Sequence, residues 1–367
     1  METLTRETIQ EIPTADEPSR VVPRILSLGT AVPPRRYAQE ELATMFGLEN
    51  PKIRRLFRGS HIKYRHLILP EPGPLGMPDE SIQALNDKHK QGCLEVGGEA
   101  IRAALDERGL QPSDIDFLVC VTTTGYLCPG LSAYFIKGMH FRSNVHRVDI
   151  VGMGCNAAVN SLQPAVAFAR ANPGRNVLVV CVEICSAAYV HNDTMENAVV
   201  NSLFGDGAAA LLLRGEPESA GQRFPAFLDF ESLIVPEASE TMRFNIDSGR
   251  LSFFLDRDIP YVIGANCNRP VSALLKRNGL RKKDVKHWII HSGGKKVIDS
   301  IKMNLELTDH DVRHTLWILE NYGNISSCAC LFSLRRLVDE DAARRGDHGV
   351  LMAMGPGAAI ETALLRW

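Results

Sequence analysis

Three features of the first half of the chain recur, in the same order, in the second half. A buried strand over 115–121 is matched by Lys286-His-Trp-Ile-Ile, and an Ala-rich helix over 156–172 by a small-residue helix over 325–336. The glycine turn and strand of Phe204-Gly-Asp-Gly-Ala-Ala-Ala are matched by the strand, turn and strand of 349–365. Strands that alternate with helices in this way fold as α/β, with sheets covered on both faces. The duplication predicts an arm over 1–23, a first half over 24–220 and a second half over 221–367. Functional groups are expected from both halves where they meet.

The remaining segments fit this frame. Residues 39–58 read as one helix with a basic end, and 92–108 as an amphipathic helix. Four prolines mark 70–80 as a loop. Strands are expected over 145–151 and 176–183.

Composition excludes several classes. Over 367 residues, 41 Lys and Arg balance 43 Asp and Glu, which removes a global electrostatic case for nucleic acid. No apolar run reaches the ~18 residues of a membrane helix. The polar N-terminus lacks the apolar core of a signal peptide. Nine cysteines, an odd number mostly within apolar runs, suggest reduced thiols in the cytoplasm. No C-x-x-C pair offers a zinc site, and no metal is expected. His310 and His314 sit one helical turn apart but lack the glutamate of H-E-x-x-H, so a surface helix is the expectation.

Three positions can carry chemistry. In Gly152-Met-Gly-Cys155-Asn-Ala a strand stops and a cysteine opens a helix, whose N-terminus lowers a thiol's pKa; packing is the bland alternative. The same turn spells G-x-G-x-x-A, and Glu183 ends the next strand, so a nicotinamide-dependent dehydrogenase is a competing reading. His291 ends a strand before Ser-Gly-Gly294-Lys295-Lys296, a place for a general acid or base and for phosphate contact. Asn324 follows Tyr322-Gly, where it caps a helix or donates to an oxyanion. Together a thiol, an imidazole and an amide describe acyl transfer with carbanion chemistry. Lys52, Arg54, Arg55 and Arg58 form a basic cluster, a solvated face or a site for a nucleotide phosphate.

At these motifs the chain resembles the type III polyketide synthases, the chalcone-synthase-like branch of the thiolase superfamily. The matching segments run in order over 24–367: Gly154-Cys155, Leu203-Phe204-Gly-Asp-Gly, Phe253 with Asp258-Ile-Pro260, His291-x-Gly-Gly, Tyr322-Gly-Asn324-x-Ser-Ser and Gly355-Pro-Gly. Within the family, Cys185-Ser-Ala-Ala-Tyr, His310-Asp-Val-Arg-His-Thr and the final Trp367 are similar to the bacterial branch that makes 3,5-dihydroxyphenylacetyl-CoA, an antibiotic precursor.

The resemblance implies a five-layered αβαβα fold, a homodimer, and no cofactor beyond the coenzyme A thioester that is the substrate. It implies malonyl-CoA as starter and extender, four units in all, joined by decarboxylative condensation. Tetrahydroxynaphthalene, alkylresorcinol or pyrone products are the alternatives within the family. It implies Cys155 as nucleophile, kept as a thiolate by His291, with His291 and Asn324 binding the thioester oxygen. Phe204 and Phe253 fall at gate positions, and Thr123, Thr124, Cys185 and Ala188 line the cavity. Lys52 and Arg55 fall at coenzyme A phosphate contacts, with Gly294 and Lys296 near the same ligand. A third basic position is Gly59 here, with Arg58 as the expected substitute. Cys128 falls at the dimer interface, before a cis Cys128–Pro129 bond. Enoyl-CoA-hydratase-like proteins are the implied pathway partners.

Overall fold

The computed structural model describes residues 21–74, 76–189, 195–218, 223–247 and 249–367. The expected arm lies outside the described residues except for its last three, which already belong to the first strand, Val21–Ala31. The expected seam at 220 also lies outside them.

The described residues hold a nine-stranded mixed sheet with a strand order that reflects the two halves. One half carries Val21–Ala31, Gly207–Pro217, Asn176–Glu183, Phe117–Thr122 and the edge strand His146–Val151. The other carries Ala226–Ile234, Ala359–Arg366, His348–Gly355 and the edge strand Val285–Ile290. Their single junction pairs Arg24 with Ala226.

Alternation along each strand sorts side chains between layers. Val177, Val179 and Cys181 enter the central core with Leu351, Ala353 and Ala363 of the other half. Leu178, Val180 and Val182 face the opposite way, against helix Ile82–Asp106. A period of two with both faces buried makes such a strand apolar throughout. Helices Ala157–Ala171 and Ala329–Asp339 fill the central layer, and Ile259–Arg277 and Lys295–Leu305 cover the far side. This is the five-layered αβαβα arrangement. Small residues suit the central layer because it is pressed from both sides: Ala157, Ala158, Ala165 and Ala169 are fully buried.

Local chemistry moves several boundaries. The helix expected over 39–58 is two, Gln39–Met45 and Pro51–Gly59. Gly47 takes a left-handed φ of 63°, and Asn50 caps the second helix by accepting from the Lys52 amide at 3.0 Å. The helix expected from 92 begins at Ile82, where Ser81 accepts from the Ala84 amide at 3.1 Å. His310 lies before helix Arg313–Tyr322, so it shares no helical turn with His314. His314 Nε2 instead lies 2.8 Å from a Glu340 carboxylate oxygen.

Candidate active site

Cys155 sits in a short 3-10 turn, Gly154–Asn156, between the edge strand His146–Val151 and the first central helix. Gly154 makes this turn possible. Its φ is 76°, and a Cβ there would come 2.1 Å from the Pro356 ring. The second half repeats the geometry with Ser326–Cys328 before the other central helix. The two turns touch: Ser326 Oγ lies 3.5 Å from Cys155 Sγ, as its hydrogen-bond donor.

His291 follows the strand Val285–Ile290 and is 1% exposed. Its backbone amide donates to Met352 O at 2.9 Å, which fixes the end of the strand. Asn324 follows Gly323 and is 3% exposed. Its Oδ1 accepts from the Ser326 amide at 2.9 Å, so the amide nitrogen is left for the Cys155 sulfur.

Desolvation opposes the expected thiolate. Burial pushes the Cys155 thiol up to about 12, and hydrogen bonds from Ser326 and Asn324 only partly oppose it. Burial likewise lowers the His291 imidazole to about 3, and its Nδ1 finds no hydrogen-bond partner among the described residues. Burial thus disfavours the charged form of each group. The helix N-terminus was expected to lower the thiol's pKa, but in so dry a site desolvation outweighs it.

Cys155, His291 and Asn324 line one cavity of about 520 Å³. Its mouth carries Arg55, Arg257, Lys295 and Lys296, with Gly59 and Gly294 on the wall. Phe204 and Phe253 line this cavity and a second, smaller one of about 30 Å³ that also reaches Cys155. Their rings meet edge to face with centroids 5.2 Å apart. The smaller cavity is walled by Thr123, Thr124, Cys185 and Ala188, the four residues expected to line one.

Not all of the basic cluster reaches the mouth. Arg58 donates through Nε and Nη2 to Glu40, both at 2.9 Å, and does not line the cavity. Arg54 and Arg58 together hold the Glu40 carboxyl at about 2. Arg58, expected to stand in for the missing base at Gly59, is thus paired with Glu40 outside the cavity lining. Lys52 is exposed on the same helix, outside the lining. Lys295 pairs with Asp299.

Arg257 and Phe244 are among the lining residues that escaped the sequence reading. Arg257 directly precedes the Asp258-Ile-Pro260 segment, which was its available signal. Phe244 faces Phe253 across a hairpin formed by Met242–Asp247 and Arg250–Leu255, with centroids 4.9 Å apart. Alternating apolar residues around Gly249 were the available signal for it.

The dinucleotide reading of the Gly152 turn is also corrected. Glu183 is fully buried and accepts hydrogen bonds from Thr123 and from the Ser327 hydroxyl, so it has no face for a ribose. Burial raises its carboxyl pKa. Among the described residues no cluster of His, Cys, Asp and Glu could hold a metal, and no helix is long and apolar enough to cross a membrane. The Cys128–Pro129 bond is cis, and Cys128 is exposed.

Residues 14–217 match the family model for the N-terminal domain of chalcone and stilbene synthases, and 230–367 match that for the C-terminal domain. The chain is 48% identical to a 3,5-dihydroxyphenylacetyl-CoA synthase of Streptomyces toyocaensis, over 94% of this chain and 90% of the relative. It is 31% identical to a 1,3,6,8-tetrahydroxynaphthalene synthase of Streptomyces peucetius subsp. caesius, over 94% and 93%. The crystal structure of PKS-I from the brown alga Ectocarpus siliculosus superposes with a TM-score of 0.88 at 28% identity, covering 96% of this chain and all of that one.

Proposed function

The chain belongs to the chalcone and stilbene synthase family, the type III polyketide synthases, and from that premise we propose that it builds 3,5-dihydroxyphenylacetyl-CoA from malonyl-CoA alone. The carrying observation is the single cavity that joins Cys155, His291 and Asn324 to a cationic mouth.

Cys155 takes the starter acyl group as a thioester, and coenzyme A leaves. His291 and Asn324 donate to the thioester oxygen of the next malonyl-CoA. As its carboxylate departs as carbon dioxide, the electron pair passes to an enolate whose oxygen those donors stabilise. The enolate carbon attacks the Cys155 thioester, and the sulfur leaves as thiolate. For Cys155 to attack, its proton passes to His291. The thiolate so formed attacks the acyl carbon, and the proton held by His291 passes to the departing coenzyme A sulfur.

The apolar faces of Phe204 and Phe253 leave the departing carboxylate poorly solvated, which favours its loss. Arg55, Arg257 and Lys296 suit the phosphates of coenzyme A at the mouth. The cavity of about 520 Å³ has room for a short chain that folds and closes to a ring. The 48% identity to a 3,5-dihydroxyphenylacetyl-CoA synthase, against 31% to a tetrahydroxynaphthalene synthase, favours the former product. We read the assembly as a homodimer with Cys128 at its interface, and the compartment as the cytoplasm, in keeping with nine free cysteines.

The deciding experiment gives the purified protein malonyl-CoA only and identifies products by mass spectrometry. A dihydroxyphenylacetyl product, as thioester or acid, supports the reading. Condensation that requires a long acyl-CoA starter overturns the subgroup but not the family.

A further inference from the structure

A guanidinium with no exposed surface lies behind the cavity wall. Arg65, in the short strand Tyr64–His66, is 0% exposed. Arginine is almost never fully buried unless paired, yet among the described residues no carboxylate hydrogen-bonds this one. Its Nε donates to Gln39 Oε1 at 2.9 Å. Its Nη1 donates to the Tyr189 hydroxyl and to the Phe204 carbonyl, both at 2.7 Å. Its Nη2 has no hydrogen-bond partner among the described residues. A buried donor left unmade costs stability, so packing alone gives no reason for an arginine here.

The partners explain the position. The Tyr189 hydroxyl also donates to the Phe204 carbonyl, and the Gln39 amide donates to Ser202 O at 2.8 Å. The carbonyls on both sides of Leu203 are thus held from one hub. The Leu203 carbonyl itself accepts from the Asn324 amide at 2.9 Å. Gly323 packs on the arginine stem, where an added Cβ would come 3.0 Å from Arg65 Cγ and Cδ. Arg65 therefore touches both chain segments that carry Phe204 and Asn324.

We propose that Arg65 is a positioning residue that sets Phe204 against Asn324 and thereby decides how much of the enolate is condensed rather than lost. The inference rests on the function proposed above. Loss of carbon dioxide leaves an electron pair on the enolate. That pair either forms a carbon–carbon bond to the Cys155 thioester, expelling sulfur, or takes a proton and leaves as acetyl-CoA. A dry gate and a fixed amide donor favour the first outcome. A gate released from its hub admits water and favours the second.

The test compares wild type with Arg65→Met, Arg65→Lys and Tyr189→Phe, supplied with malonyl-CoA, and reads acetyl-CoA, aromatic product and melting together. For Arg65→Met the ratio of acetyl-CoA to aromatic product should rise about tenfold, with KM for malonyl-CoA within about twofold, because the mouth cations are untouched. Tyr189→Phe should shift the ratio the same way by about two- to threefold, and Arg65→Lys should fall between. A variant that melts cooperatively and keeps the wild-type ratio overturns the proposal and leaves Arg65 a purely structural role. If Arg65→Met does not fold, Tyr189→Phe, which removes only a hydroxyl, decides the matter alone. If wild type makes nothing from malonyl-CoA alone, the functional reading fails instead. The same ratio is then read with a long acyl-CoA starter and malonyl-CoA as extender.

Discussion

Phe204 and Asn324 face each other as an isolated parallel bridge, with the Asn324 amide donating to Leu203 O and the Gly205 amide to Asn324 O, both at 2.9 Å. One residue comes from each half of the chain. The ring that lines both cavities and the amide that faces Cys155 are therefore carried on one rung.

This rung gives Asn324→Ala a specific signature. The backbone bridge survives, while the side-chain donor and the Oδ1 contact to the Ser326 amide are lost. Malonyl-CoA decarboxylation should fall roughly 10²–10³-fold, the usual cost of an oxyanion donor, with a stability loss of about 1 kcal/mol. Carbon dioxide release and thermal melting measure the two. Unchanged decarboxylation removes Asn324 from the reacting groups.

The desolvated thiol at Cys155 predicts an unusual alkylation profile. Only thiolate reacts with iodoacetamide, and with the thiol near 12 its fraction rises tenfold per pH unit throughout the ordinary range. The Cys155 rate should therefore climb from pH 6 to pH 10 without a plateau. A plateau below pH 8 would establish a standing thiolate–imidazolium pair. Cys155→Ala should abolish aromatic product while carbon dioxide release continues.

His291 makes the fold sensitive to acid. Its imidazole is lowered to about 3 in the folded protein, against about 6.5 unfolded. The unfolded chain thus binds a proton that the folded one excludes, and stability falls as pH drops from 6.5 toward 3. The slope is roughly 1.4 kcal/mol per pH unit for each such histidine. His89, buried beside Thr122 and lowered to about 4, adds a second. Denaturant melts between pH 6 and pH 4 should show a shallower slope in His291→Gln than in wild type.

At the mouth, Lys296→Ala and Arg257→Ala should each raise KM for malonyl-CoA by about three- to tenfold, with kcat held and the effect shrinking in high salt. Arg58→Ala should leave KM unchanged, since that guanidinium is engaged by Glu40. Steady-state kinetics at two ionic strengths separates the two groups. An equal rise for all three variants would place Arg58 at the ligand.

Phe244 sets the far wall of the inner cavity. Phe244→Ala should enlarge that space and lengthen the chain made before ring closure, at about 1–3 kcal/mol of stability for a half-buried ring. Product masses in the variant check this, and an unchanged product assigns the length limit elsewhere.

The sequence by itself determined the alternation of strands and helices, the duplication, and the places of Cys155, His291 and Asn324 at glycine turns and strand ends. Those signals are local: a turn needs its glycine, and a strand buried on both faces is apolar along its whole length. Only the tertiary structure decided how far Cys155 is desolvated, because the other half of the chain removes the water around it. It also assigned Arg58 to Glu40 and brought Arg65, Phe244 and Arg257 to the site. Each of these depends on a partner elsewhere in the fold or on the shape of a cavity, which a local pattern such as the apolar alternation around Gly249 does not specify.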